Sequence, residues 1–428
     1  MRHNSKYDTT SDDYRRFLMD YARERIAAEN YYDADFALQV SQSRFPADAV
    51  SYNLHAMLAY RLGLYEHGLH FVKKALEINP RMERAQDNLK ILEKAYFSKQ
   101  EKLKQDEEQF FLVHSWGSGL GFDLLYLMQQ LLLAELSERI PVVHWGVNSL
   151  YNESPNKDCF TQYFDNITDL TIDDLTPHMP SVYPAHWQTR ELKDYVRRTR
   201  WRNTSNNQRY KIGGPYFLNR PEKIVVGGEY ASIHMLRPWL MNKPRYANAL
   251  VGDIYRDLVK RHIKPKQKLQ DKANTFITHK FGGKPFMSIH LRGTDKPNEK
   301  QSNSISSINH DLIQQIQKEP GELPIFLMTD DIYYLEKMKK IFGKRLHSFD
   351  IERASSDDQG LHHSSKTKRR MTEEVLIDML VASKSSHFYG CGLSYLACMV
   401  TYMQAPKNLS TLLPFDVMTR FVDIPMPK

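Results

Sequence analysis

The segment Ser288-Ile-His-Leu-Arg-Gly-Thr-Asp-Lys296 places five chemically capable side chains within the seven positions 290–296. His290, Arg292, Thr294, Asp295 and Lys296 suit the holding of a multiply charged phosphate group. Arg offers a planar fork for paired oxygens, and Lys a compact point charge. Thr can donate a hydroxyl hydrogen bond, and Asp can orient either cation. Fixed cations around a diphosphate also stabilise the charge that develops as it departs, with no metal required. The bland alternative is a salt-bridged loop after an edge strand; the density of these types favours a ligand site.

Other segments carry weaker chemistry. Thr329-Asp330-Asp331 offers two neighbouring carboxylates, but adjacent acids on one turn chelate a hard cation poorly, so no metal is expected. Trp116-Gly-Ser-Gly-Leu-Gly121 is a glycine turn between a predicted strand and a predicted helix, the opening of a Rossmann-like unit. Arg197, Arg198, Arg200, Trp201 and Arg202 mix basic and aromatic character and read as an amphipathic surface helix rather than a sugar platform. Lys366-Thr-Lys-Arg-Arg370 reads as a solvated loop. Trp116 and Trp145 read as core anchors. Cys159, Cys391 and Cys398 are too few for a disulfide framework, show no zinc spacing, and read as buried reduced thiols.

The elements that must position these groups alternate. Phe110–Val113 is a predicted strand, followed by the glycine turn, a helix over Phe122–Leu136 and a strand at Ile140–Trp145. Helices are predicted at Ala247–His262 and Pro265–Phe281. Strands then fall at Phe286–Leu291, Pro324–Met328, Leu346–Phe349 and His387–Tyr389. Between and after them lie helices at His310–Lys318, Ile332–Phe342, Glu373–Ser383 and Ser394–Gln404. Alternating β and α predicts doubly wound parallel sheets with ligands at the strand C-termini. Two Rossmann-like domains are expected, at 106–255 and 256–428.

Residues 1–105 differ. Tyr31, Ala34, Leu38, Ser41 and Pro46 recur 34 positions later as Tyr65, Gly68, Val72, Ala75 and Pro80, which is the tetratricopeptide period. Arg81–Ser98 reads as a capping helix and Lys99–Glu108 as a boundary. Two repeats bury too little surface alone, so the module is expected to pack on the next domain and to offer a surface for a protein partner or self-association.

Composition narrows the class. In 428 residues, 41% are hydrophobic and 26% charged, which excludes wholesale disorder. The net charge of +8 is spread thinly and no nucleic-acid module is visible, so nucleic acid is not an expected partner. The apolar run Leu124–Leu136 is interrupted by Gln129 and Gln130 and is too short to span a bilayer. The N-terminus lacks a signal-peptide core. A cytoplasmic protein with at most peripheral membrane contact is expected.

The His-x-Arg-x-Thr-Asp-Lys string resembles the signature of the α-1,6-fucosyltransferase group, which includes the rhizobial nodulation and eukaryotic core fucosyltransferases. Protein O-fucosyltransferases are more distant relatives. The turn Gly117–Gly121, Thr329-Asp330-Asp331, and Leu376-Ile-Asp378 followed by Gly392-Leu-Ser394 agree in order with that group over roughly 110–415. The resemblance implies a GT-B-type α/β glycosyltransferase, with the acceptor side in 106–255 and the donor side in 256–428. It implies inverting, metal-independent transfer from GDP-fucose to a glycan. A bacterial surface polysaccharide or lipid-linked oligosaccharide is the expected acceptor; another nucleotide sugar, a protein acceptor, or an inactive tetratricopeptide binding protein are the alternatives. It implies that Arg292 and Ser394 hold the donor phosphates, with Thr294, Lys296, Gly119 and Gly121 in the donor site. His290 would touch the nucleoside or pyrophosphate, Asp378 would accept the guanine edge, and Asp330 and Asp331 would shape the sugar side. The group's pattern places its basic glutamate five residues after the motif Asp. Lys300 stands there in this chain, and Glu299, one residue earlier, is the candidate base, with Asp295 as the fallback.

Overall fold

A computed structural model of the chain describes residues 12–28, 31–103, 108–154, 157–179, 181–184, 187, 191–193, 217–218, 220–228, 233–240, 243–293, 302–351, 353–354 and 368–413. Five helices come first: α1 (Asp12–Ala27), α2 (Tyr31–Arg44), α3 (Ala49–Arg61), α4 (Tyr65–Ile78) and α5 (Glu83–Leu103). The helices α2 and α4 begin on the paired residues Tyr31 and Tyr65, so the repeat in sequence is a repeat of helix starts. Asp48 opens α3 by accepting the Val50 amide at 3.1 Å. Gly68 of α4 lies so close to Leu92 that a β-carbon there would meet the Leu92 Cδ2 at 2.5 Å; a small residue is what lets these helices cross. The last helix runs through Leu103, so the expected boundary at 99–108 begins as helix rather than as linker.

Two parallel sheets follow. The first joins β1 (Phe110–His114), β2 (Ile140–His144), β3 (Val182–Tyr183) and β4 (Ile224–Val226) in the order β2-β1-β4-β3. Between them run α6 (Leu120–Leu136) and α7 (Phe160–Tyr163), and after them α8 (Ile233–Leu240), α9 (Val251–His262) and α10 (Gln267–Phe281). The second sheet joins β5 (Met287–His290), β6 (Ile325–Met328), β7 (Leu346–His347), β8 (His387–Cys391) and β9 (Leu409–Leu413) in the order β7-β6-β5-β8-β9. Its helices are α11 (Ser302–Lys318), α12 (Ile332–Phe342), α13 (Lys368–Ala382) and α14 (Tyr395–Met403). The strand β5 is the first of its sheet and lies in the middle. The chain winds outward through β6 and β7, then crosses to β8 and β9 on the other side. Such a reversal opens a crevice at the strand C-termini, here between β5 and β8. Sheet one reverses likewise between β1 and β4.

The apolar runs of β5 and β6 are buried throughout, as parallel strands covered on both faces require. Met287 and Ile289 pack with Ile308, Leu312 and Leu335 on one face, while Phe326, Met328 and Phe388 join the core shared with α10, α13 and α14. That shared core also contains Phe111, Val113 and the whole inner length of α6, so one apolar body lies between the sheets. Gln129 and Gln130 interrupt the apolar run of α6 from within this core; the Gln129 amide donates to Tyr255 Oη at 2.9 Å, and Tyr255 of α9 stacks on Tyr402 of α14 at 4.8 Å. The expected domain boundary at 255/256 therefore falls inside α9, the helix that touches both halves. The helical module reaches this body through His67, whose ring stacks on Trp239 of α8 at 4.3 Å. Burial holds the His67 imidazolium well below the usual histidine range, in keeping with a neutral ring in that stack.

Candidate functional site

The C-terminal edge of the second sheet gathers the residues that the sequence singled out. His290 closes β5, and its register neighbours are Met328 of β6 and Gly390 of β8. Ser288 bonds toward the end of α13, its hydroxyl 3.3 Å from Ala382 O, so strand alternation turns His290 to the same face. Two residues beyond, Arg292 Nη1 donates to Leu393 O at 3.2 Å, bridging the crevice between the ends of β5 and β8. The Arg292 backbone is fixed from the other side, where Asn309 Nδ2 of α11 donates to its carbonyl at 2.7 Å.

Ser394 stands at the start of α14. It is buried, and its side chain makes no hydrogen bond to cap that helix. The first amides of α14 therefore retain their partial positive charge beside the Arg292 guanidinium. Gly293 sits against Asp331 and Asp330; a β-carbon there would lie 2.9 Å from Asp330 Oδ1. Only glycine lets the chain leave β5 this close to the acidic turn. Asp331 itself is committed to the fold: it caps α12 by accepting the Tyr333 amide at 2.8 Å, and burial raises its carboxyl above the ordinary range. Asp330 remains the more open of the two acids.

Asp378 lies on the buried face of α13, its Oδ1 without a hydrogen-bond partner. Burial pushes its carboxyl up to about 8, against the pull of Arg353, and Glu374 on the same helix adds to the rise. A buried acceptor oxygen with no partner is costly unless a ligand supplies a donor. The helix that carries it is tied to the first half of the molecule, where Glu153 Oε1 accepts the Arg369 amide at 2.9 Å at its N-terminus. Lys368, Arg369 and Arg370 thus form the first turn of α13, where the sequence had predicted a loop.

The glycine turn of the first sheet is built differently. Asp123, one turn into α6, accepts the amides of Gly117 at 3.3 Å and Ser118 at 3.1 Å. Gly119 is the extended residue before α6. Gly121 meets the backbone of Tyr395 and Leu396: a β-carbon there would lie 2.6 Å from Leu396 Cα. The starts of α6 and α14 are therefore pressed together, with Gly121 at their point of closest approach. Phe122 packs edge-on to Tyr395 at 4.9 Å beside it.

Arg292, His290, Asp330, Ser394 and Gly121 are thus drawn to one crevice rim, with Asp378 on the helix packed behind it. Thr294, Asp295, Lys296 and Glu299 lie outside the described residues, as do Arg197, Arg198, Arg200, Trp201 and Arg202. Trp116 and Trp145 are core residues, and all three cysteines are buried thiols outside any disulfide. Among the described residues no group of three or more His, Cys, Asp or Glu could hold a metal ion, and no helix is long and apolar enough to cross a membrane. No pattern in the sequence marks Arg353, Glu153 or Asp123, whose partners are distant or lie in irregular segments.

No family model matches the chain, and no curated protein matches it. Among solved structures it is similar to the NodZ α-1,6-fucosyltransferase soaked with GDP-fucose, at 15% identity over 70% of this chain and 94% of that one, with a TM-score of 0.49. It is similar to a mutant of FUT1 from Arabidopsis thaliana in complex with GDP, at 11% identity over 74% of each chain and a TM-score of 0.46. It is also similar to POFUT1 in complex with GDP, at 14% identity over 72% of this chain and 99% of that one, with a TM-score of 0.40. Each score lies below 0.5, too low to carry substrate or mechanism over to this chain.

Proposed function

We propose that this chain is a glycosyltransferase that transfers fucose from GDP-fucose to a glycan, with inversion and without a metal. The observation that carries this reading is Arg292 bridging the β5/β8 crevice beside the uncapped start of α14. A guanidinium beside a helix N-terminus forms an anion site of the kind a diphosphate fills. Asp378, with its unpartnered buried oxygen, supplies the acceptor that the N–H edge of guanine needs. The motif order along the chain supports the same assignment.

In this reading the acceptor hydroxyl oxygen attacks C1 of the fucosyl group from the face opposite the diphosphate. The C1–O bond to the β-phosphate breaks, and its electron pair stays on the phosphate oxygen. Arg292 and the α14 amides stabilise that growing charge; Ser394 and Lys296 complete the grip. The hydroxyl proton passes to a carboxylate, Glu299 or in its place Asp295. His290 and Asp330 line the nucleoside and sugar sides. The acceptor is a glycan of surface-polysaccharide or lipid-linked type, handled in the cytoplasm, and residues 1–105 act as a tetratricopeptide-like docking module. The test is a screen of nucleotide sugars by release of the product nucleotide. Release of GDP from GDP-fucose above the release of UDP or ADP from their sugars supports the reading; a folded protein that turns over none of them refutes it.

A further inference from the structure

Arg353 belongs to none of the motifs discussed so far, yet the fold fixes it with care. Its Nη1 donates to Ile351 O at 3.2 Å and its Nη2 to Phe349 O at 2.8 Å, so the guanidinium is pinned to its own segment. That segment is pinned to the acidic turn, where Ala354 N donates to Asp330 O at 2.9 Å and Ile332 N to Ala354 O at 3.1 Å. Arg353 Nε is buried without a partner, and so is Asp378 Oδ1. The two atoms are unpartnered although the charges of the two side chains attract each other. A cavity of about 540 Å³ opens alongside, walled by Phe276 of α10, by Phe349 and Asp350, and by Glu374 of α13.

The charged groups around Asp378 can be named element by element. Its own helix brings Glu374, which is ion-paired with Arg370 at 2.8 Å. The 349–353 segment brings Arg353, which is itself attracted by Asp350 and by Asp330 of the turn after β6. Across the cavity, α10 brings Asp271 and Lys272. The sequence of α14 holds no charged residue. The 349–351 segment shares a cavity wall with Glu374 and Ile377 of the Asp378 helix, and from that pinned segment Arg353 attracts the Asp378 carboxyl.

We propose that Arg353 is a positioning residue for Asp378: its pinned guanidinium sets the charge state in which that carboxyl meets a ring N–H edge. The inference rests on the donor-binding reading above. A carboxyl in an apolar wall without a cation would stay protonated and offer a donor where guanine also offers one. With Arg353 beside it, the carboxyl gives up its proton to solvent as the ring arrives, and both oxygens become acceptors. The cation does this without occupying the acceptor lone pairs, because its own hydrogen bonds go to backbone carbonyls.

Infrared difference titration of the nucleotide-free protein, with Asp378→Asn as the blank, reads the carboxyl directly. The wild-type midpoint is expected near 8, and Arg353→Met is expected to raise it by about one unit or more, as loss of a nearby opposite charge does. Arg353→Lys is expected to keep it near the wild-type value. GDP titrated into the same proteins should bind Arg353→Met about tenfold more weakly at pH 7, with the gap closing as pH rises towards 9. An unmoved carboxyl midpoint in folded Arg353→Met overturns the inference, as does a GDP affinity lowered by the same factor at every pH. Absence of GDP binding to the wild type, with the midpoint shift intact, instead counts against the donor reading and leaves the Arg353–Asp378 coupling established.

Discussion

At the C-terminal edge of the first sheet, Asp123 takes the amides of Gly117 and Ser118, Asn148 donates to Ser115 O, and His114 stacks on Trp187 at 5.6 Å. At the same edge of the second sheet, Ser394 leaves α14 uncapped by any side chain, Arg292 crosses the crevice, and Asp378 keeps a buried oxygen without a partner. Both sheets are parallel and both reverse their winding beside the first strand. Architecture therefore does not separate them; the commitment of their polar groups does. A carboxylate already offsets the positive end of α6, so the first glycine turn repels an anion, whereas a guanidinium reinforces the positive end of α14. In the first half these groups hold the loops together, and in the proposed reading those of the second receive a ligand.

That contrast can be broken most sharply at Arg292. Arg292→Ala should lower transfer from GDP-fucose about a hundredfold or more. Its melting temperature should stay close to the wild-type value, because the bond to Leu393 O is made to the half-buried turn between β8 and α14 rather than within the core. Initial rates and a thermal melt on one preparation check both halves of this statement.

Asp378 sharpens the comparison through pH. Its raised carboxyl must lose a proton to accept the guanine edge, so GDP affinity should rise by about tenfold per pH unit up to about 8 and then level. Asp378→Asn should bind GDP weakly with a flat profile. The same group carries the opposite sign for folding. A protonated buried carboxyl stabilises the protein at low pH, and this contribution is lost as pH rises towards 8, so Asp378→Asn should flatten part of the wild-type decline in melting temperature. Calorimetric titrations and melts between pH 6 and 8.5 read both effects.

Asp123→Ala should behave in the reverse manner to Arg292→Ala. It removes the acceptor for two amides and should cost about 1–3 kcal/mol of stability, while leaving the GDP affinity of the folded fraction near wild type. Chemical denaturation and calorimetry separate these outcomes. The smallest effect is expected at Glu153, whose side chain caps α13 from the other half; Glu153→Ala should cost about 1 kcal/mol in the same denaturation assay.

Much of the second half was legible in the sequence because its strands are continuous apolar runs ending in chemically loaded turns. Ile325–Met328 is such a run, Met287–His290 alternates Met287 and Ile289 with Ser288 and His290, and Asp330 and Arg292 follow these strands within two residues. Asp378 could be found only by resemblance, since one acid in an otherwise apolar helical stretch gives no periodic signal. Arg353 was not legible at all. Its role depends on a segment without regular structure lying beside Asp330 and α13, a proximity set by tertiary packing alone. The first half was read less well for the same reason. The strands at Val182–Tyr183 and Ile224–Val226 are two and three residues long, below any pattern that alternation or hydrophobicity can reveal. The strand Leu409–Leu413 was missed because its exposed first residues, Leu409 and Ser410, place it at the sheet edge rather than in the core. The period of 34 residues did locate helix starts, yet helix α5 overran its expected end because Lys99–Leu103 continues a strongly helix-forming, charged sequence.

The most direct test is calorimetric titration of GDP into the wild-type protein and into Arg292→Ala at pH 8. Saturable one-to-one binding to the wild type, reduced by about 1.5–3 kcal/mol in the variant as loss of a charged hydrogen-bond donor to phosphate requires, is the predicted result. Equal affinity in the two folded proteins would show that the β5/β8 crevice does not grip a diphosphate, and would contradict the account.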